Sequence, residues 1–170
     1  MGAGASRPRS STHCRIRPAA DADNIEVPSD WLDHNGHITE WRYLQLFSNA
    51  TDILLCYIGV DGEYRSRSGS YCVVQTHLSY LRELYAGDRV QVLTQVLGAD
   101  DKRLHILFEV TREGDGGPAA TCEQMLVHLN ADSRHSEPVR GRTRKRLLEV
   151  ARLHAELPRP ERAGAKIQLR

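Results

Sequence analysis

The stretch that decides the fold is Trp31-Leu32-Asp33-His34-Asn35-Gly36-His37-Ile38-Thr39-Glu40-Trp41-Arg42-Tyr43-Leu44. It places an acid, an amide and two imidazoles in a glycine-containing turn and then enters the longest helical pattern in the chain. The first N–H groups of a helix have no partner within the helix, and the aligned peptide dipoles leave a partial positive charge there. A carboxylate in the turn before such amides suits acyl transfer, because the amides can hold an oxyanion that develops on a carbonyl.

The helix that follows is predicted to begin after a Thr39 cap, with Glu40 in its first turn at the favourable positive end. Apolar residues then recur at helical spacing, and the stripe comprises Leu46, Ala50, Ile53, Leu54, Tyr57 and Ile58. Gly59 provides a C-terminal stop. About twenty residues give a rod of roughly 30 Å, which is long enough to lie across the face of a whole sheet.

After this helix the apolar pattern becomes alternating, which predicts strands over residues 70–82, 89–97, 104–111 and 119–129. Turn-forming segments rich in Gly and Asp separate them, and a short edge strand is predicted within residues 25–30, where Pro28 interrupts it. Four consecutive strands with hairpin links predict an antiparallel meander. The fold class is therefore α+β, with an antiparallel sheet wrapped around one long central helix.

The bulk composition is that of an ordinary globular protein, with 170 residues, 40% hydrophobic and 26% charged. A net charge of +1 gives no field that would favour nucleic acid or an anionic membrane, and no apolar run approaches the length of a membrane span. Residues 1–24 contain no apolar signal-peptide core and are expected to form a disordered arm. Residues 25–135 are expected to form the main domain, and residues 136–170 a C-terminal helix followed by an extended tail.

The cysteines and histidines show no metal or disulfide framework. Cys14, Cys56, Cys72 and Cys122 are scattered without a C-x-x-C pair, which favours reduced thiols and a cytoplasmic location. The histidines form no recognised ligand set, so no metal is expected.

The pattern Asp33-x-Asn35-Gly36-His37, followed by Tyr43 in the helix and by the four strands, resembles the hotdog-fold acyl-CoA thioesterases of the 4-hydroxybenzoyl-CoA thioesterase type. Within that group, segments 33–40, 98–105 and 157–160 are similar to the betainyl-CoA or carnitine-pathway thioesterases. The resemblance covers residues 25–160. It implies a homodimer or homotetramer in which two sheets join edge to edge and the active sites are shared between subunits. It also implies that the acid before the helix acts on the thioester.

Asp33 is therefore the candidate nucleophile or general base, and the residues alone leave both routes open. Backbone amides around Thr39 and Glu40 would hold the oxyanion, and Asn35 and His37 would orient water or the carbonyl. The alternatives are that Asp33 and Asn35 only shape the turn, and that His37 only braces it. Glu40 is either a favourable first-turn charge or a second catalytic carboxylate.

Candidate substrate-binding residues lie on several elements. Lys102 and Arg103, at a predicted hairpin end, would meet the phosphates of coenzyme A, or else lie in a solvated turn. Aromatic residues would line a pocket for a quaternary ammonium acyl group through cation–π attraction, or else fill the core; they are Trp31, Trp41, Tyr43 and Tyr71. Gln75 and Tyr80 depart from the Glu and His of the carnitine-pathway branch, so they bear on the identity of the acyl group.

The predicted function is hydrolysis of a short acyl-CoA, with betainyl-CoA favoured, to the free acid and coenzyme A. No metal or redox cofactor is expected, since coenzyme A arrives as part of the substrate. Two alternatives stay open: a non-catalytic acyl-CoA-binding regulatory module, and a hotdog hydratase or dehydratase acting on an acyl thioester. No helix-turn-helix pattern precedes the sheet, which weighs against the regulator.

Overall fold

A five-stranded antiparallel sheet carries one long helix on its inner face in the computed structural model, which describes residues 24–168. The elements in chain order are β1 (Ile25–Glu26), a single 3-10 turn (Ser29–Trp31), α1 (Glu40–Ile58), α2 (Gly62–Arg67), β2 (Ser70–Tyr80), β3 (Arg89–Ala99), β4 (Arg103–Arg112), β5 (Pro118–Leu129) and α3 (Gly141–Ala155). The expected N-terminal arm, residues 1–24, lies outside the described residues except for Asn24. None of the described helices combines the length and apolarity that a membrane crossing requires.

The long helix and its stop are confirmed. α1 has 19 residues, a length of about 28 Å, and it buries one face that includes Leu46, Phe47 and Ile58. Gly59 adopts φ +98°, and its amide donates to the carbonyl of Cys56, which ends the helix. The predicted side-chain cap by Thr39 is wrong, since its hydroxyl donates instead to the carbonyl of Trp31 at 2.9 Å.

The sheet order is β1-β3-β4-β5-β2. Strands β3, β4 and β5 form the expected meander, but β2 pairs with β5 and not with β3, so the predicted hairpin between β2 and β3 is wrong. The physical reason lies in residues 81–88, a connection longer than a tight hairpin. Leu84 within it is fully buried, and its carbonyl accepts a bond of 2.9 Å from the amide of Ile38. The connection therefore crosses the end of the sheet and attaches to the loop before α1.

The core lies between α1 and the inner face of the sheet. Phe47 of α1 and Phe108 of β4 are both fully buried, with their ring centroids 5.9 Å apart. Each large apolar side chain buried in this way stabilises the fold by about 1.5–3 kcal/mol. Because α1 spans the sheet, its N-terminus is held firmly at the end where β2 finishes.

A C-terminal helix is present as α3, and the residues after it form turns and are not fully extended. This segment packs along β3 and then across the outer face of the sheet. The amide of Val96 donates to Nδ1 of His154 at 2.9 Å, and Gln95 donates to the carbonyl of Pro158 at 3.3 Å. Further along the tail, the amide of Gly164 donates to Glu123 of β5 at 2.7 Å. The short helix α2 was not predicted; its N-cap, Asp61, accepts the amide of Tyr64 at 2.9 Å.

Candidate active site

The loop before α1 is closed by its own backbone. Leu32 and Ile38 form an antiparallel bridge, and the amide of Asp33 donates to the carbonyl of His37 at 2.8 Å. Gly36 adopts φ +84°, a left-handed conformation that favours glycine, and its amide donates to the carbonyl of Asp33 at 3.1 Å. The sequence therefore folds into a tight loop that presents the Asp33 side chain in a defined direction.

The carboxylate of Asp33 is held by three donors. It accepts the amides of Asn35 at 2.8 Å and His37 at 3.3 Å, and the side-chain amide of Asn35 at 3.4 Å. Burial by itself would raise the pKa of Asp33, but these hydrogen bonds and the nearby His34 together lower it below its usual 3.8. The turn-shaping role considered for Asp33 and Asn35 is thus present, and the carboxylate is ionised at neutral pH.

Asp33 also lines a cavity of about 410 Å³ at the N-terminal end of α1. The walls come from the loop, the first turn of α1, the end of β2 and the crossover after it; the lining residues are Asp33, His37, Ile38, Glu40, Tyr43, Tyr80, Leu81, Arg82 and Glu83. The fold thus brings the candidate carboxylate and the positive end of the long helix to one cavity.

Some backbone amides at the N-terminus of α1 donate to carbonyl groups of the protein, and others have no acceptor within the helix. The amide of Thr39 donates to the carbonyl of Trp31 at 2.9 Å, and the amide of Arg42 donates to the carbonyl of Thr39 at 2.9 Å. The predicted role of the Thr39 amide as an oxyanion donor is therefore wrong, because this amide closes the loop instead. The amides of Glu40 and Trp41 belong to the first turn, where a helix offers no acceptor, so they are the candidate oxyanion donors.

His37 and Glu83 face each other across the cavity wall. Nε2 of His37 lies 3.4 Å from a carboxylate oxygen of Glu83, and the His37 ring packs edge-on against Tyr85 with centroids 5.5 Å apart. Asn35 is not part of the cavity lining and acts on Asp33 through hydrogen bonds. Glu83 was not among the residues predicted for the site. One sequence signal could have identified it: Glu83 precedes the apolar Leu84 in residues 81–88, a connection too long for a tight hairpin.

Two tyrosines form the inner wall. Tyr43 is buried, whereas Tyr80 is 46% exposed, and their rings meet edge to face with centroids 5.3 Å apart. The hydroxyl of Tyr80 donates to Glu40; burial, followed by the charge of Glu40, raises the pKa of Tyr80 to about 12. Burial likewise raises the pKa of Tyr43. Both phenols are therefore neutral at physiological pH.

The tryptophans lie beside this cavity without lining it. The guanidinium of Arg42 lies 3.9 Å from the ring centroid of Trp41 and 5.2 Å from that of Trp31. Trp41 is 55% exposed on the outer side of α1. Among residues 24–168, the cation that lies over both rings is the guanidinium of Arg42.

The other predicted binding residues lie elsewhere in the chain. Tyr71 is buried against His128 near the opposite end of β2, and Gln75 is exposed further along the same strand. Lys102 and Arg103 lie at the β3–β4 hairpin, about seven strand residues or ~23 Å from the sheet end that holds the cavity. Arg103 is paired with Asp100 at 2.6 Å, and Lys102 donates to the carbonyl of Ser136 at 3.3 Å. Their roles stay predictions.

Between residues 24 and 168, no three or more His, Cys, Asp or Glu side chains are grouped so as to hold a metal ion. The cavity itself is lined by the carboxylates of Asp33, Glu40 and Glu83.

Comparison with known proteins shows the family. The family model described as the thioesterase-like superfamily matches residues 27–158. The chain belongs to the thioesterase-like superfamily. The hotdog fold and the thioester hydrolase class expected from the sequence are confirmed at this level.

Two relatives with known names are similar to this chain. A betainyl-CoA thioesterase of Pseudomonas aeruginosa is 43% identical over 144 residues, which cover 84% of this chain and 91% of that protein. An L-carnitine dehydrogenase/betainyl-CoA thioesterase of Rhizobium meliloti is 38% identical, but the match covers only 29% of that longer protein and 85% of this chain.

Two solved structures are similar to this chain, and one of them contains CoA. A crystal structure from Pseudomonas putida is 37% identical, with a TM-score of 0.79, and the match covers 91% of this chain and 99% of that one. A Staphylococcus aureus protein solved in complex with CoA is 27% identical, with a TM-score of 0.81 and coverage of 87% and 94%.

Proposed function

We propose that this thioesterase-like protein hydrolyses an acyl-CoA, with betainyl-CoA as the favoured substrate. The observation that carries the proposal is the ionised carboxylate of Asp33 in a cavity at the amide-rich end of α1. The curated relatives named for betainyl-CoA support the acyl group, and the CoA complex of the Staphylococcus aureus protein supports the carrier.

The proposed chemistry needs an oxyanion hole and one carboxylate. The thiolate of coenzyme A leaves readily, because a thiol has a pKa near ~8.5 and needs no strong acid to protonate it. Asp33 either attacks the acyl carbon, forming an anhydride that water then cleaves, or removes a proton from the water that attacks. In both routes the amides of Glu40 and Trp41 would hold the oxyanion, at about 3 kcal/mol of transition-state stabilisation per donor.

The second part of the proposal is a homodimer joined through β2. In the described chain β2 pairs with β5 on one side, and its other edge has no strand partner. This edge is long, and it exposes 47% of Val73 and 60% of Val74, a combination that monomers avoid because it invites pairing. Antiparallel pairing of two β2 edges would bring the hairpin with Lys102 and Arg103 of the other copy toward the cavity. That placement supports their predicted role at the phosphates of coenzyme A, and a tetramer would be built from such dimers.

The third part of the proposal is that the protein resides in a reducing compartment. Cys56, Cys72 and Cys122 are all free thiols, and Cys122 is completely buried in the core. Burial raises the pKa of Cys122 to about 12, so its thiol is inert packing. These free thiols support the cytoplasm as the location.

The experiment is a panel of acyl-CoA substrates with detection of the released thiol. We expect Asp33→Asn to lower turnover at least ~100-fold while binding of coenzyme A by calorimetry is unchanged, because the amide keeps the loop but provides neither nucleophile nor base. The matched control is Asp30→Asn, an exposed acid of the 3-10 turn outside the cavity lining. Binding without thiol release by the wild type would favour the regulatory module, and a change in enoyl absorbance would favour the hydratase.

A further inference from the structure

The cavity has a strongly unequal charge lining. Three carboxylates line it, and the one guanidinium in its wall, that of Arg82, lies 3.6 Å from Asp115 of the β4–β5 turn. Among residues 24–168, neither Glu40 nor Glu83 forms an ion pair with Lys or Arg; the ion-pair contact of Glu83 is with His37. A partly enclosed cavity with this lining favours a cationic group over a neutral group of the same shape.

Of the two tyrosines that line the cavity, one has an accessible ring. Tyr80 is half exposed and lines the cavity, whereas Tyr43 behind it is buried. The tryptophan rings nearby already have the guanidinium of Arg42 as their cation. The Tyr80 hydroxyl donates to Glu40, which fixes the ring and adds negative charge to its edge. An incoming cation therefore meets the ring of Tyr80.

In a betainyl thioester the positive charge lies close to the carbonyl group that reacts. Its trimethylammonium nitrogen is separated from the reacting carbonyl carbon by a single methylene group. A cavity that holds the carbonyl beside Asp33 must therefore hold the cation as well, within the same walls.

We propose that Tyr80 and Glu83 are specificity-determining residues, which select a cationic acyl head group through the ring face of Tyr80 and the carboxylate of Glu83. This inference rests on the proposed function, since it concerns the acyl group that the same cavity takes. It replaces the tryptophans with Tyr80 as the aromatic contact of the ammonium group. Neither residue takes part in bond making or breaking.

The test compares betainyl-CoA with tert-butylacetyl-CoA, a neutral isostere in which carbon replaces nitrogen. The measured quantity is the ratio of kcat/KM for the two substrates, divided by the ratio of their spontaneous hydrolysis rates to remove the intrinsic effect of the charge. We expect the wild type to favour betainyl-CoA. Tyr80→Leu should lower this preference by about 2- to 30-fold, the factor that one cation–π contact is worth between exposed and desolvated sites. Glu83→Gln should also lower it, whereas Tyr80→Phe keeps the ring and should keep most of it.

The matched control is Glu63→Gln, an exposed acid on α2 outside the cavity lining, which should leave the preference unchanged. Circular dichroism of each variant verifies the fold. Equal normalised turnover of the two esters by the wild type would overturn the selectivity and leave the hydrolysis proposal intact. An equal loss on both esters in Tyr80→Leu would assign Tyr80 to packing and overturn its role. If no acyl-CoA is cleaved at all, the proposed function fails and this inference fails with it.

Discussion

The hydroxyl of Thr51 lies 3.2 Å from the side-chain oxygen of Gln124, inside the interface between α1 and β5. Both residues are buried, with 6% and 2% of their surface exposed. A buried amide needs a partner, so this contact fixes where the middle of the long helix lies on the sheet. The position of the helix in turn sets the position of its N-terminus at the cavity.

Thr51→Val should lower the free energy of unfolding by about 1–3 kcal/mol, because the buried side-chain amide of Gln124 then loses a hydrogen-bond partner. Replacing both residues, as Thr51→Val with Gln124→Leu, should cost less than the sum of the two single changes. Urea unfolding of the four proteins measures the coupling. Strictly additive costs would show that the two side chains do not act together.

The helices α1 and α3 and the strands could be predicted from the sequence because their signals are local, whereas the short helix α2 was not predicted. The apolar stripe through Leu46 and Leu54, ended by Gly59, defines α1 without any distant contact. The pairing of β2 with β5 could not be predicted in this way. It depends on the route of residues 81–88, which is fixed by burial of Leu84, and burial is a property of the finished fold.

The residues of the candidate site differ in the same way: some have local sequence signals, and others reach the cavity only through the tertiary fold. Asp33, Asn35 and Gly36 lie within one turn, where the side-chain chemistry of Asp and Asn is a short-range signal. Tyr80 and Glu83 reach the cavity only because β2 ends beside the first turn of α1, so no spacing in the sequence connects them with Asp33. The bond from Thr39 to Trp31 likewise follows from closure of the loop in space.

Gly69→Ala should destabilise the protein far more than Gly36→Ala. Gly69 has φ +123°, and a Cβ atom there would overlap the carbonyl oxygen of Leu129, so backbone would have to move. Gly36 has φ +84° but open space around it, and its substitution should cost only about 1–2 kcal/mol for the left-handed conformation. Thermal unfolding of the two variants measures the difference. Equal melting temperatures would contradict the close approach at Gly69.

Asp100→Asn should destabilise the β3–β4 hairpin at neutral pH but not in acid. Hydrogen bonds from the Arg103 side chain and the Lys102 amide lower the pKa of Asp100 from 3.8 to about 2. A lowered folded-state pKa contributes stability above the unfolded value, and this contribution is lost as the pH falls from 3.8 toward 2. Because the side chain is 45% exposed, the contribution is at most about 1 kcal/mol.

Urea midpoints of wild type and Asp100→Asn, measured from neutral pH into acid, should therefore converge below the usual pKa of a carboxyl group. The matched control is Asp132→Asn, at an exposed acid outside the β3–β4 hairpin. A difference for Asp100→Asn that is constant with pH would show that the ion pair contributes no stability.

The pH dependence of turnover should report the hydrogen bonds that hold Asp33. Since these bonds lower the pKa of Asp33, the acid limb of kcat/KM should lie below the usual pKa of an aspartate carboxyl group. Asn35→Ala removes the side-chain donor at 3.4 Å, which disfavours the charged form and raises the pKa. The acid limb should then move to higher pH, whereas Asn49→Ala on the exposed face of α1 should leave it in place. An acid limb that moves to lower pH in Asn35→Ala, or that moves equally in both variants, would mean that the ionisation of Asp33 does not control turnover.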